Sequence, residues 1–238
     1  MERIDQRAYD ALRPVKLTPG FAEFAEGSVL IECGHTKVLC CASVEERTPP
    51  HVAAGEGWVT AEYSMLPRAN RERSRRDVSK LKLSPRSAEI QRLVGRSLRA
   101  AVDMQKLGER TITIDCDVLQ GDGGTRTASV TGGYIALALA CRHLMEEGVL
   151  LQWPLKGYVA GVSAGIVDNC ALLDLCYAED SHAMVDLNCV MNDAGELIEL
   201  QGTGEGRAFT LSEQQELVRL CAKGVDELIA VQKRLLES

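Results

Sequence analysis

The sequence predicts an α+β fold, with mixed sheets and helices in a single compact domain over residues 1–238 and two similar β-rich halves. Three observations predict it. Runs rich in β-branched residues are joined in pairs by short turn signals, the mark of antiparallel hairpins. The order strands, helix, strand, helix is followed by strands and a helix again, which segregates helices from hairpins rather than alternating them strictly. With 238 residues and 45% hydrophobic side chains, the chain is long enough to bury a sizeable core.

The elements follow in chain order. Residues 28–33 and 37–44 are β-rich runs meeting at Gly34-His35, a hairpin turn. Residues 58–64 form a further strand. Residues 66–85 are polar and basic without apolar periodicity, so they read as a long exposed loop whose length alone makes it functionally suspect. Over 88–103, Ile90, Leu93, Val94, Leu98, Ala101 and Val102 share one face of an amphipathic helix. Arg92, Arg96 and Arg99 lie on the opposite face, within roughly 60° of one another at about 100° per residue. Like charges so spaced repel. Taken alone, the stripe reads as a solvated face with Arg99 paired to Asp103; an anionic ligand across it would relieve the repulsion.

Residues 111–118 (TITIDCDV) alternate as a strand. A glycine-rich turn leads from it into 128–145, a helix apolar on most sides and hence central, ended by Gly148. Residues 159–167 and 171–177 form a second hairpin through Asp168-Asn169, and 185–191 and 196–201 a third through Asn192-Asp193-Ala194-Gly195. The last helix opens with Ser212 and Gln215 spaced as a capping box.

The formal net charge of −7 argues against a polyanionic partner until it is mapped. From Arg68 to Arg99 there are eleven Lys and Arg against Glu72, Asp77 and Glu89, a balance of +8; the rest of the chain carries −15. Nine cysteines, odd in number and without a C-x-x-C pair, read as buried reduced thiols of a reducing cytosol rather than as disulfides or zinc ligands. The start MERIDQRAYDAL lacks the apolar core of a signal peptide, and no apolar stretch reaches about 18 residues. A soluble cytoplasmic protein without membrane contact is expected.

Two constellations carry chemistry. In Asp115-Cys-Asp-Val-Leu-Gln-Gly-Asp-Gly-Gly-Thr-Arg-Thr-Ala128, glycines lead into a helix whose first turn holds Thr125, Arg126 and Thr127. Helix N-termini offer unpaired N–H groups and a positive dipole end, so this turn suits phosphate. It is no Walker motif. A cation there opposes the dipole unless an anion is present, and Arg86, behind Ser84-Pro85, can complete a two-sided clamp with Arg126. In Tyr177-Ala-Glu-Asp180-Ser-His-Ala-Met-Val-Asp186, Asp180 falls where a strand ends and Asp186 where the next begins. Two hard oxygen ligands with room for substrate phosphates suit Mg²⁺, whereas taken alone acidic residues in turns usually serve only solubility. His182 reads as a bystander.

Leu12-Arg-Pro14, Glu26 to Val29, Gly57 to Tyr63, Glu89 to Arg99, Asp115 to Ala128, and Glu179-Asp180 through Asp186 resemble, in order and over nearly the full length, the ribonuclease PH family of phosphate-dependent 3′ exoribonucleases. The chain departs at Arg3-Ile-Asp-Gln-Arg7, where the family opens Arg-Pro-Asp-Gly-Arg, at Pro85 for a frequent glycine, and at Gly121 for an alanine. The resemblance implies phosphate binding by Arg86, Gly124, Thr125 and Arg126. It implies catalysis and metal handling (Mg²⁺, with Mn²⁺ as an alternative) by Asp180 and Asp186, and contact with the RNA body by Arg68, Arg73 and Arg76. Arg92, Arg96 and Arg99 extend that path in our reading. The expected activity is trimming of tRNA-precursor 3′ ends, with rRNA as a further substrate, by a hexamer built as a trimer of dimers. One of the two aspartates, Asp180 in preference to Asp186, is the expected proton donor if a nearby carboxylate raises it. A non-catalytic RNA-binding ring subunit is the competing class, and a phosphate-binding small-molecule kinase a third. With only 10 aromatic residues, backbone recognition with little sequence preference is expected.

Overall fold

A computed structural model describes residues 3–76, 79 and 82–237. Asp77 and Lys80 of the basic segment lie outside the described residues. The strands are β1 (Val15–Pro19), β2 (Gly27–Cys33), β3 (Thr36–Glu45), β4 (Trp58–Met65), β5 (Thr111–Gln120), β6 (Val159–Val167), β7 (Cys170–Leu173), β8 (Val185–Asn192) and β9 (Leu197–Thr203). The helices are α1 (Pro85–Ala100), α2 (Met104–Leu107), α3 (Thr125–Glu146), α4 (Tyr177–Asp180) and α5 (Leu211–Leu236).

They form two sheets, ordered β1-β2-β3-β5-β4 and β7-β6-β8-β9, in the expected α+β class. Adjacent strands pair antiparallel except β4 and β5, which run parallel because α1 and α2 cross between them. The Gly34-His35 turn closes its hairpin with Cys33 opposite Thr36, and Gly34 takes φ +56°. Asp168 and Asn169 both take left-handed φ, the geometry of a tight two-residue hairpin.

α3 lies between the sheets, packed on β2, β3 and β5 on one side and β6 on the other. That position explains why its sequence is apolar nearly all round. Contact is close enough that a Cβ on Gly27 would come within 2.2 Å of the Ala136 carbonyl oxygen. α1 covers β4, and α5 covers the outer face of the second sheet, where Leu217, Leu220, Val225, Leu228 and Ile229 are buried against Val162, Ala164 and Leu187. The layers therefore run sheet, helices, sheet, helix.

Several boundaries differ from the sequence reading. α1 starts at Pro85, a favourable first position behind the Ser84 cap, and ends at Ala100; Asp103 caps α2 by accepting from the N–H groups of Gln105 and Lys106. The Asp103 carboxylate is thus not the partner of Arg99. β7 stops at Leu173, and Tyr177 and Asp180 belong to the short α4 instead of to strands. The capping box of α5 is formed by Thr210 and Glu213, not Ser212 and Gln215: Thr210 Oγ1 accepts from Glu213 N at 3.2 Å, and Glu213 accepts from Thr210 N at 2.7 Å. β1, α2 and α4 are too short for a periodicity argument to find. All nine cysteines are free thiols.

Candidate active site

The first turns of α1 and α3 meet at one cavity of about 360 Å³, which also takes side chains from β6, α4, β8 and the loop after β9. Arg86 and Arg126 each occupy the second helical position, and neither first turn contains an acidic residue. Both cations therefore sit at positive dipole ends, an arrangement that costs free energy until an anion lies between them. The N-terminus of α3 has no side-chain cap, so its N–H groups face the cavity side of the turn unclaimed by a cap. Arg126 Nη1 is held at 3.0 Å by both Glu89 of α1 and Gln201 of β9.

The glycine-rich turn is braced from far along the chain. Gly123 takes φ +76°, and a Cβ there would come within 2.4 Å of the Leu175 carbonyl oxygen; Gly124 takes φ +65° as the cap of α3. Arg13, 4% exposed, donates to the carbonyl oxygens of Asp122 and Gly123. Asp174 holds Arg13 in turn, accepting from its backbone N, Nε and Nη2 at 2.8, 3.0 and 2.6 Å. These bonds join the segment before β1 to the end of β7.

Opposite the arginines stand the carboxylates. α4 carries Asp180 and is fixed by its neighbour Glu179, which accepts from Arg3 Nε and Nη2 at 2.8 Å in a buried two-pronged pair. Asp186 and Asn188 alternate along β8 toward the cavity, and Asn188 Nδ2 donates to Asp186 at 3.0 Å. Burial raises the Asp180 carboxyl, against the pull of Arg86 and Arg126. Burial and then the neighbouring Asp180 push Asp186 up to about 6, so Asp186, not Asp180, is the carboxyl most strongly held toward its protonated form. Glu205 adds a further negative charge that raises both.

A divalent cation fits this donor set in a limited way. Asp180 and Asp186 line one cavity and repel each other, which a cation would relieve. Among the described residues no group of three or more His, Cys, Asp or Glu is arranged to hold a metal. Two carboxylates leaving the remaining positions to water and substrate oxygens is the pattern suited to Mg²⁺.

All the residues expected to bind phosphate and metal thus meet at one cavity. The arginine stripe of α1 does not. Arg96 is paired with Glu199 at 3.0 Å; Arg99 donates to the Val59 carbonyl oxygen and stacks 4.4 Å over the Trp58 ring. Arg92 and Arg96 are nevertheless exposed, and Arg99 is half-buried. Arg68, Arg73 and Arg76 are exposed on the loop before α1 and outside the cavity lining. His182 bonds within its own turn and does not line the cavity. Sequence reasoning missed Tyr63, Glu89, Ser163, Asn188, Gln201 and Glu205. Only Glu205, flanked by Gly204 and Gly206, carries a local signal.

Two family models match the chain, "3′ exoribonuclease family, domain 1" over residues 11–142 and "domain 2" of the same family over 157–223. A curated relative from Syntrophomonas wolfei, Ribonuclease PH, is 53% identical over 237 residues, 99% of each chain. The chain belongs to the 3′ exoribonuclease family, of ribonuclease PH type. Solved structures share the fold. An exosome from Archaeoglobus fulgidus with RNA bound to the active site matches at TM-score 0.84 and 24% identity, over 97% of this chain and 92% of that one. Rice (Oryza sativa) Rrp46 matches at TM-score 0.78 and 16% identity, over 98% of this chain and 100% of its own.

The structure also places the three departures. Gln6, where the family has glycine, takes left-handed φ +61° and sits between Arg3 and Arg7 of the bracing network. Pro85 is the first residue of α1, and a Cβ on Gly121 would meet nothing closer than 3.3 Å.

Proposed function

We infer that inorganic phosphate and the 3′ end of an RNA react in this cavity, and that the protein is a phosphate-dependent 3′-to-5′ exoribonuclease trimming tRNA precursors, with rRNA as a further substrate. One observation carries the reading: arginines at the second position of two converging helices face a pair of carboxylates across one polar cavity. Arg86, Gly124, Thr125 and Arg126 bind the phosphate nucleophile and align it with the last phosphodiester. The products are a nucleoside diphosphate and an RNA shorter by one nucleotide.

Attacking and attacked groups are both anions, so the barrier lies largely in repulsion and positioning, which the two guanidinium groups relieve. Mg²⁺, with Mn²⁺ as a substitute, held by Asp180 and Asp186 would offset charge on the scissile phosphate and the leaving oxygen. One carboxyl of the Asp180–Asp186 pair supplies the proton for the leaving 3′ oxygen. Because a phosphoanhydride forms as a phosphodiester breaks, the reaction runs backwards with nucleoside diphosphates.

Arg68, Arg73 and Arg76 contact the RNA body, and Arg92, Arg96 and Arg99 extend that path, chiefly through phosphates. Residues 1–238 act as one unit, since the cavity draws on both sheets. Phe24, 96% exposed, and Leu151, 88% exposed, supply apolar surface for the expected hexamer, a trimer of dimers that light scattering checks. The nine free thiols suit a reducing cytoplasm, and among the described residues no helix is long and apolar enough to cross a membrane.

The deciding assay incubates the protein and Mg²⁺ with a 3′-extended tRNA, with and without phosphate. Shortening that needs phosphate and releases nucleoside diphosphates is expected. Equal shortening in both tubes, or release of monophosphates, overturns the reading.

A further inference from the structure

Thr125, one of the phosphate ligands, has its own side chain held from the opposite element. Tyr63 of β4 is 2% exposed, and its hydroxyl lies 2.8 Å from Thr125 Oγ1. This is a buried hydroxyl pair between the first sheet and the first residue of α3, and Thr125 faces the cavity while Tyr63 stands behind it. Arg86 lines the same cavity as Thr125, and its positive charge acts on the Tyr63 hydroxyl.

The direction of the proton in this pair follows from Arg86. A hydroxyl has one proton and two acceptor lone pairs, whereas a guanidinium has donors only. The positive charge of Arg86 repels the phenol proton and turns it toward Thr125 Oγ1. Thr125 then accepts from Tyr63, and its own proton is free to point at an anion in the cavity. Hydroxyls linked in this way polarise one another, so the outer one becomes the better donor.

We propose that Tyr63 is a positioning residue for inorganic phosphate, acting through Thr125: its hydroxyl sets the direction of the Thr125 proton. No bond to Tyr63 is made or broken in the reaction. The inference rests on the phosphorolytic reading above, and its test is arranged so that the two fail separately.

Tyr63→Phe removes one oxygen and leaves the ring in the core. The expected result is a rise of about five-fold in KM for phosphate, the factor one neutral hydrogen bond is worth. kcat at saturating phosphate stays within two-fold, KM for RNA stays near wild type, and Tm falls by about 2–4 °C for the lost bond. Thr125→Val and the double variant complete the cycle: if Tyr63 acts through Thr125, adding Tyr63→Phe to Thr125→Val raises KM for phosphate no further. An unchanged KM for phosphate in Tyr63→Phe overturns the proposal, as does a loss confined to kcat. So does a double variant in which the two effects multiply, because Tyr63 would then act elsewhere. Wild-type trimming that ignores phosphate would sink the functional reading instead.

Discussion

Asp186→Asn is expected to abolish phosphorolysis and yet make the metal-free protein more stable. In the fold the Asp186 carboxyl is pushed from 3.8 to about 6, first by burial and then by Asp180. At about 1.4 kcal/mol for each pH unit, a charged Asp186 costs the folded state on the order of 3 kcal/mol at neutral pH. Asparagine removes the charge, and its Oδ1 can still accept from Asn188 Nδ2, now 3.0 Å from the carboxylate. Burying an amide takes back part of the gain, leaving about 1–2 kcal/mol. For a chain of this length that corresponds to a Tm rise of about 2–8 °C. The sign with pH is determined by the raised value. Above about 6 the wild type carries the whole penalty; below 3.8 the carboxyl is protonated in both folded and unfolded states and the penalty vanishes. Thermal unfolding in EDTA and phosphate-free buffer should therefore show the variant's advantage at pH 8 and lose it by pH 4. Adding Mg²⁺ should narrow the gap at pH 8 by relieving the same repulsion in the wild type. A variant no more stable at pH 8, or an advantage that does not shrink as pH falls, refutes the account of Asp186 as a carboxylate kept at an energetic cost.

The buried Asp174 and Glu179 behave oppositely. Arg13 and Arg3 hold them below their ordinary values despite burial, so the stability they add is present above the ordinary carboxylate range and lost as acid takes the pH below it. Asp174→Ala, which leaves Arg13 buried and unpaired, should cost about 3–5 kcal/mol by urea unfolding. Gly121→Ala should be neutral or stabilising by up to about 1 kcal/mol, whereas Gly123→Ala should disrupt the turn and phosphate binding together, because its Cβ meets the Leu175 carbonyl oxygen at 2.4 Å. Arg73→Ala should weaken tRNA binding and lower its log-log salt slope by about 1, with little effect on a short oligonucleotide; filter binding over a salt series measures both.

Much of this molecule is legible locally. The hairpin at Gly34-His35, the all-round apolar α3 and the amphipathic α5 follow from turn chemistry and from periods of 2 and 3.6, which act between near neighbours. The phosphate turn is legible for the same reason, since glycines, a threonine and an arginine at one helix start suffice to announce it. Segregation of a +8 segment from a −15 remainder also needs no structure.

What the sequence could not decide is which charges meet. On α1, Arg92, Arg96 and Arg99 look equivalent, but Glu199 lies 103 residues from Arg96, and Arg99 finds Trp58 only because β4 runs beneath the helix. Asp174 lies 161 residues from Arg13, and Tyr63 lies 62 from Thr125. Such pairings depend on strand register and on the packing of α3 between the sheets. The same packing buries Asp186 beside Asp180 and raises it above its partner. The sequence by itself determined the elements, the two charge populations and the chemical groups of the site. Their partners and protonation follow from the folded packing, because burial and long-range Coulomb contacts exist only once distant segments share one low-dielectric interior.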